Sequence, residues 1–281
     1  MHGKVVVMTG GTSGIGEVAA ERLAGLGARL VLVARDRARG EATLARLRAQ
    51  GPGVGHVAHY ADLSLIADTK RVAAEIAAAE PRIDVLINNA GAMFGHRRVT
   101  ADGLELTFAT NHMSYFLLTH GLRERLLASA PARVVNTSSS AHRRADLDFD
   151  DLQSARGYRG FMAYSRSKLC NILYTRELAR RSAGTGVTAN CLHPGFVATR
   201  FGDASGGFFS YVVRASKQVF AISSEKGAET LVYLASSPEV ATISGGYFYQ
   251  CQLTTPTRAA QDDAAARRLW AETARLAGLS G

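Results

Sequence analysis

The chain has 281 residues, of which 47% are hydrophobic, and a formal net charge of +9 at pH 7. This length suits one large α/β domain with a sizeable core, and we expect a single domain over residues 1–281. The positive charge does not indicate nucleic-acid binding, because the arginines occur in pairs such as Arg97-Arg98, with acidic residues between them.

The composition also bears on where the protein resides. No apolar run approaches the roughly 20 residues that a membrane-spanning helix needs, and a first strand that begins by Lys4 leaves no room for a signal peptide. Cys170, Cys191 and Cys251 are too few and too scattered for a disulfide framework or a Cys-x-x-Cys metal site, so we expect buried apolar cysteines and no metal. We therefore expect a cytoplasmic protein without a membrane span.

A glycine-rich turn joins the first predicted strand, Lys4 to Met8, to a helix predicted over Glu17 to Leu26. Its glycines leave the backbone amides open to a pyrophosphate, and the helix points its positive end toward that charge. The spacing Gly-x-x-x-Gly-x-Gly is a weak signal by itself, and a tight turn without a ligand is the alternative. The turn residues predicted to bind a dinucleotide are Gly10, Thr12, Ser13, Gly14, Ile15 and Gly16.

The first half of the chain alternates strands and helices, which predicts a doubly wound parallel sheet of the Rossmann type with helices on both faces. Ligands bind such sheets beyond the carboxyl ends of the strands. The predicted strands are Arg29 to Ala34, His56 to Tyr60 and Ile83 to Asn88, and the predicted helices are Arg37 to Gln50 and Leu65 to Ala79.

The second strand ends about 20 residues after the glycine turn, where a dinucleotide fold meets the adenosine ribose. There Ala34 is followed by Arg35, whose guanidinium suits a 2'-phosphate, so we favour NADP(H) over NAD(H). Asp36 has two interpretations: an acid that binds the ribose hydroxyls, or the N-cap of the next helix.

Polar and small residues follow the next strands at the same edge of the sheet. Asp62-Leu63 closes the third strand, and Asn88-Asn89-Ala90-Gly91 closes the fourth. A long helix is predicted over Ala101 to Leu127 and contains Asn111, and a fifth strand, Arg133 to Thr137, leads into Ser138-Ser139-Ser140. The acidic stretch from 146 to 151 lacks the glycine of a calcium loop, so we interpret it as a solvated loop rather than a metal site.

The helix predicted over Phe161 to Arg181 holds Tyr164 and Lys168, four positions apart on one face. A free tyrosine titrates near 10, so acid/base work at neutral pH requires stabilisation of its anion. An ammonium at about 4 Å, with an effective dielectric of about 20, supplies roughly 4 kcal/mol as an upper figure. The alternative is an exposed pair of no consequence, which fits poorly beside a serine cluster and a nucleotide crevice.

The last third of the chain shapes the substrate side. A strand is predicted over Val187 to Leu192, and residues 195–226 are rich in aromatic side chains, which suits either a substrate-binding lid or a helical lobe that packs inward. In both cases the apolar material favours a bulky lipophilic or aromatic substrate. A helix over Glu225 to Leu234, a final strand over Gly246 to Gln250 and a helix over Asp262 to Leu276 complete the prediction.

These motifs, in this order, resemble the short-chain dehydrogenases/reductases with a Tyr-x-x-x-Lys site. The resemblance implies that Tyr164 exchanges a proton with the substrate oxygen, that Ser139 binds that oxygen, and that Lys168 contacts the nicotinamide ribose. It further implies that Asn111 positions a water and that Asp62 contacts the adenine. The other cofactor positions that it implies are Leu63, Asn89, Ala90, Gly91, Pro194, Gly195, Val197 and Thr199, the last at the carboxamide.

Within that family the chain is most similar to the retinol-dehydrogenase and protochlorophyllide-reductase-like branch, through Ser138-Ser139-Ser140-Ala141-His142, Asn111-His112, Tyr247-Phe248 and Leu269-Trp270. It lacks the membrane-anchoring N-terminus of the animal retinol enzymes, so membrane attachment is not expected. Ser138 remains an alternative to Ser139 as the catalytic serine, and a homo-oligomer is expected by analogy only.

The expected function is NADP(H)-dependent interconversion of an alcohol and a carbonyl on a small lipophilic molecule. Two alternatives remain. One is an NADPH-dependent carbon-carbon double-bond reductase on the same fold, and the other is a catalytically silent NADP(H)-binding regulator.

Overall fold

The computed structural model describes residues 1–51, 53–195 and 223–279. Its eight strands in these ranges are β1 (Val5–Thr9), β2 (Arg29–Ala34), β3 (Val57–Tyr60), β4 (Val85–Asn88), β5 (Ala132–Thr137), β6 (Val187–Leu192), β7 (Tyr247–Tyr249) and β8 (Gln252–Thr254). They form one sheet in the order β3-β2-β1-β4-β5-β6-β7-β8. Neighbouring strands from β3 through β7 are parallel, and β8 pairs antiparallel with β7. The predicted parallel sheet is confirmed.

Helices cover both faces of the sheet. Within the described ranges they are α1 (Gly14–Gly25), α2 (Arg37–Gln50), α3 (Ile66–Ala79), α4 (Leu106–Phe108), α5 (Ser114–Gly121), α6 (Arg123–Ala128), α7 (Gly160–Arg181), α8 (Ser224–Ser236) and α9 (Asp263–Leu276). Successive strand residues alternate between two cores. In β1, Val7 packs with the core of α3, α5, α7 and α9, whereas Val6 and Met8 pack with the core of α1, α2 and α8.

The long helix α7 is buried over most of its length and is covered by α9. Trp270 of α9 stacks on Tyr174 at 5.7 Å between ring centroids and meets Phe116 edge-on at 5.0 Å. The Arg181 guanidinium lies over the same indole, 4.4 Å from its centroid. Helix α9 of the same chain therefore covers the face of α7 that lies away from the sheet.

The single helix predicted over Ala101 to Leu127 is wrong. Gly103 has a φ of +80°, which a helix cannot contain, and the helical backbone begins only at Leu106, where the Glu105 carboxylate caps it. A π-helical turn, Ala109–Met113, then interrupts the α-helical pattern, and a break at Leu122 separates α5 from α6. Apolar residues continue at helical spacing through all these changes, which is why the sequence suggested one helix.

The predicted final strand, Gly246 to Gln250, is shorter than expected and is not the last one. It spans Tyr247–Tyr249 and turns back into β8 through Gln250 and Cys251, both at positive φ (49° and 62°). Two-residue hairpin turns of this kind normally carry Asn or Gly, and neither is present here, so the turn was not predictable from the residue types. Cys251 is half-exposed there rather than buried as expected, while Cys170 and Cys191 are buried.

Candidate active site

Four neighbouring strands, in the sheet order β1-β4-β5-β6, bring the predicted motifs to one carboxyl edge. The glycine turn follows β1, the segment from Asn89 to Gly91 follows β4, Ser138 and Ser139 follow β5, and His193-Pro194-Gly195 follows β6. This convergence is the reason that residues far apart in the chain can act on one ligand.

The glycine turn is held open by its own backbone. Gly10 and Gly14 have positive φ values of 66° and 55°, which glycine adopts without steric cost. A Cβ at Gly16 would lie 2.1 Å from the Gly10 carbonyl oxygen, so no larger residue fits. The Ser13 side chain does not cap α1, which leaves the first N–H groups of the helix available to an anion. Thr12 and Ile15 lie in the same turn, and the arrangement fits a pyrophosphate.

Asn89 ties this turn to the neighbouring strands. Its Nδ2 donates to the Gly10 carbonyl oxygen at 3.1 Å, and its Oδ1 accepts from the Thr137 hydroxyl at 3.1 Å. The Thr9 hydroxyl in turn accepts from the backbone nitrogens of Asn89 and Ala90, each at 2.9 Å. Asn89 is therefore a support of the turn through its side chain.

At the adenosine end, Arg35 is exposed and makes no ion pair with any residue that the structure describes. Asp36 accepts from the Arg39 backbone nitrogen at 2.8 Å and caps α2, as the second interpretation held. The Asp62 carboxylate accepts from the Ser64 backbone nitrogen and hydroxyl at 3.0 and 2.7 Å, and Leu63 is half-exposed beside it. The Arg35 guanidinium at this end of the crevice is therefore not neutralised by any described acid.

Asn111 lies in the π-helical turn, a local form that is frequent at functional sites. Its Oδ1 accepts from the Ala92 nitrogen at 2.8 Å, and its Nδ2 donates to the Ala92 oxygen and the Ser167 hydroxyl, both at 2.9 Å. A Cβ at Gly91 would lie 3.3 Å from both Asn111 Oδ1 and the Lys168 Nζ. The asparagine thus joins α7 to the loop after β4, directly beside Lys168.

Tyr164 and Lys168 are both buried in α7. Burial raises the pKa of Tyr164 to about 12, and a hydrogen bond with the Ser139 side chain opposes that shift. Burial lowers the pKa of Lys168 to about 7. The Lys168 Nζ donates to the Thr137 carbonyl at 3.0 Å and lies 5.6 Å from the Tyr164 ring centroid. Without a cofactor, burial is therefore the main influence on the pKa of Tyr164, and it outweighs the lowering that was expected from the Lys168 ammonium.

The two candidate serines differ in their surroundings. Ser138 is buried, and its hydroxyl donates to the Lys168 carbonyl oxygen at 2.8 Å. Ser139 is half-buried, and its Oγ accepts from the Ala141 backbone nitrogen at 3.2 Å. The Ser139 side chain also forms the hydrogen bond with Tyr164, whereas the hydroxyl of Ser138 is bonded to the backbone of α7. Ser139, and not Ser138, is therefore the serine that contacts the tyrosine.

Some predicted positions lie outside the described residues, namely Val197, Thr199 and most of the 195–226 segment. Pro194 and Gly195 end the described part of that loop, and Gly195 has a φ of +85°. One neighbour of the site was missed: the ring of Tyr115 lies 5.8 Å from the Lys168 Nζ. Tyr115 follows Asn111 by four positions, and that helical spacing was the available signal.

A doubly wound sheet with a glycine turn at its carboxyl edge defines the class of dinucleotide-binding proteins. Residues 4–206 match the short chain dehydrogenase family. The chain belongs to this family of oxidoreductases, which use nicotinamide cofactors.

Relatives and solved structures agree with this assignment. Human retinol dehydrogenase 14 is 42% identical over an alignment of 299 positions that covers 99% of this chain and 88% of that protein. Human retinol dehydrogenase 13 is 41% identical, with coverage of 99% and 85%. The predicted similarity to the retinol-dehydrogenase-like branch is confirmed.

Among solved structures, an uncharacterized protein from Mycobacterium paratuberculosis matches with a TM-score of 0.79 and 31% identity, covering 99% of this chain and 95% of that one. The Pseudomonas aeruginosa RhlG/NADP active-site complex matches with a TM-score of 0.70 and 28% identity, covering 88% and 94%. Across 1–51, 53–195 and 223–279, the helices are all too short or too polar to cross a membrane.

Proposed function

We propose that this protein is an NADP(H)-dependent oxidoreductase that interconverts an alcohol and a carbonyl on a bulky lipophilic or aromatic substrate. The observation that carries the proposal is the meeting of Tyr164, Ser139 and Lys168 at the carboxyl edge beside the glycine turn. The names of the retinol dehydrogenase relatives support a lipophilic alcohol as the substrate.

The cofactor would lie along the edge of the sheet. Gly10 to Gly16 would bind the pyrophosphate, Arg35 the 2'-phosphate, and Asp62 and Leu63 the adenine. Asn89 to Gly91, Pro194 and Gly195 would line the nicotinamide half, together with Val197 and Thr199 from the predicted set. When bound, the nicotinamide exchanges a hydride with the substrate carbon.

The residues of the chain handle the proton and the developing charge. With a pKa raised to about 12 by burial, Tyr164 is protonated near neutral pH and can donate to the carbonyl oxygen during reduction. Ser139, which hydrogen-bonds Tyr164 in the protein alone, would turn its hydroxyl to the same oxygen, and two donors aimed at one oxygen stabilise its developing negative charge. Lys168, held by the Thr137 carbonyl, would orient the ribose, and Asn111 would hold a water on the path to solvent. The 195–226 segment would form a substrate-binding lid or lobe.

The test follows NADPH absorbance over a panel of lipophilic aldehydes, ketones and enones. We expect turnover of carbonyl substrates, and Tyr164→Phe should lower kcat by at least about 100-fold, the typical contribution of a positioned acid/base. Tyr233→Phe is the matched control, because that phenol bonds Glu239 on the opposite face of the sheet.

Each alternative predicts a different result. A double-bond reductase would consume the alkene of an enone and leave the carbonyl intact. A silent regulator would bind NADPH but turn over none of the panel. Undiminished turnover in Tyr164→Phe would contradict the assigned role of the tyrosine.

A further inference from the structure

Three residues after Ser139, the imidazole of His142 is fully buried. Its Nδ1 lies 2.7 Å from the Ser139 carbonyl oxygen, and its Nε2 lies 3.4 Å from the Thr257 backbone nitrogen. A carbonyl can only accept and a backbone N–H can only donate. These two contacts assign the proton to Nδ1, so His142 donates to Ser139 and accepts from Thr257.

The ring is fixed by its neighbours on the adjacent strands. Tyr247 of β7 meets it edge-on, with 5.2 Å between centroids and 3.4 Å from the phenol oxygen to Nδ1. His193, after β6, stacks on the other side of Tyr247 at 5.6 Å. Burial lowers the pKa of His142 and the nearby charge of Arg143 acts in the same direction, while the bond to the Ser139 backbone opposes the shift. The ring is neutral in this arrangement, because Nε2 accepts from the Thr257 N–H. A neutral, enclosed imidazole is a rigid donor.

The acceptor of this donor is the backbone of Ser139. Its carbonyl oxygen receives two bonds from His142, one from Nδ1 and one from the backbone nitrogen at 3.2 Å. Ser139 itself is extended, with φ −158° and ψ 153°, and caps the short helical turn Ser140–Arg144. Because both bonds fix the orientation of this peptide group, they also fix the direction in which the Ser139 hydroxyl leaves the backbone.

We infer that His142 is a positioning residue for Ser139, and that its Nδ1–H bond to the Ser139 carbonyl holds the serine hydroxyl at the substrate oxygen. The inference rests on the proposed function, in which Ser139 touches the reacting oxygen. His142 lies on the substrate side, after β5, whereas the phosphate turn follows β1. Its loss should therefore slow the chemical step and leave cofactor binding unchanged.

Two substitutions separate this role from a merely structural one. His142→Asn places an amide N–H near the position of Nδ1, and His142→Gln places its amide near Nε2, where it can bond Thr257 but not the Ser139 carbonyl. We expect kcat of His142→Asn within about threefold of the wild type and kcat of His142→Gln lower by about 10- to 100-fold, because small misplacements of catalytic groups have effects of this size. NADPH Kd and binding stoichiometry should be unchanged in both, and kcat is expressed per NADPH-binding site.

A double-mutant cycle provides the second readout. In a Ser139→Ala background, His142→Gln should lower kcat by less than about threefold, because the hydroxyl that His142 positions is already absent. An equal loss in both backgrounds would overturn the inference, as would full kcat in His142→Gln or an inactive His142→Asn. A wild type without carbonyl turnover would instead defeat the proposed function. If the wild type is active, Ser139→Ala is slow and His142→Gln is fast, only the role of His142 fails.

Discussion

The choice of cofactor should depend on Arg35. Its guanidinium is exposed at the end of β2 and has no ion pair with a described residue, so it is free to bind a 2'-phosphate. The neighbouring acid, Asp36, is already occupied as the cap of α2 and would not compete. A charge-assisted contact of this type contributes roughly 1.5 to 3 kcal/mol. Arg35→Ala should therefore weaken NADPH binding by about 10- to 150-fold and leave NADH nearly unchanged.

The assay is a pair of Kd measurements, for NADPH and for NADH, on each variant. Arg48→Ala is the matched control, because Arg48 is exposed in the last turn of α2, about 16 Å along the helix axis from Arg37, which follows Arg35 by two positions. Ala34→Asp should act in the opposite sense, favouring NADH through hydrogen bonds to the ribose hydroxyls and repelling the phosphate. Equal losses for both cofactors in Arg35→Ala would mean that the arginine is structural, and the NADP(H) assignment would lose its basis.

Three further predictions concern the turn, the acid and the hairpin. Gly16→Ala should weaken NADPH binding by more than about tenfold and lower the free energy of unfolding by about 1–3 kcal/mol, because the new Cβ would clash with the Gly10 carbonyl oxygen. Gly25→Ala is the control, since the space around Gly25 is open. Equal melting curves for the two variants would refute the argument. Since burial raises the pKa of Tyr164 to about 12 and lowers that of Lys168 to about 7, the range from about pH 8 to about pH 10 isolates the tyrosine. Reduction should be flat across that range, whereas oxidation, which needs the phenolate, should rise about tenfold per pH unit; a flat oxidation profile would contradict this. Cys251→Gly should raise the unfolding free energy by about 0.5–1 kcal/mol, because removing the steric strain of a left-handed residue gains more than the entropy cost of glycine. Cys251→Ala should give no such gain in the same denaturation experiment. A lower denaturation midpoint for the glycine variant would contradict this prediction.

The elements with regular periodicity were predictable. The bounds of β2, α2 and β6 agree with the sequence prediction to the residue. The two strands are short apolar runs, as buried parallel strands are, and α2 buries small and apolar residues at helical spacing, among them Leu44 and Leu47. The breaks in the region from Ala101 to Leu127 were not predictable, since a π-helical turn changes the backbone but leaves the side-chain pattern nearly intact. The hairpin at Gln250 was also hidden, because positive φ without glycine or asparagine leaves no mark in the sequence.

The site divides in the same way. Once the sheet was predicted to be parallel, residues at the ends of β1, β4 and β5 had to meet at one edge, so the convergence of Asn89, Ser139 and the glycine turn followed from topology. The pKa of Tyr164 could not be predicted in this way, because its burial depends on atoms that are distant in sequence. The Lys168 Nζ also donates to a backbone carbonyl, and sequence spacing does not predict this bond.

The central claim is that the protein moves a hydride between a nicotinamide and the carbon of a carbonyl, with Tyr164 supplying the proton. The most direct test incubates the wild type with NADPH deuterated at the transferred position of nicotinamide carbon 4 and an α,β-unsaturated aldehyde, and then analyses the product by NMR. The account predicts an allylic alcohol with deuterium on the carbinol carbon, formed at least about 100-fold more slowly by Tyr164→Phe. A saturated aldehyde with deuterium on the former alkene carbon would contradict it.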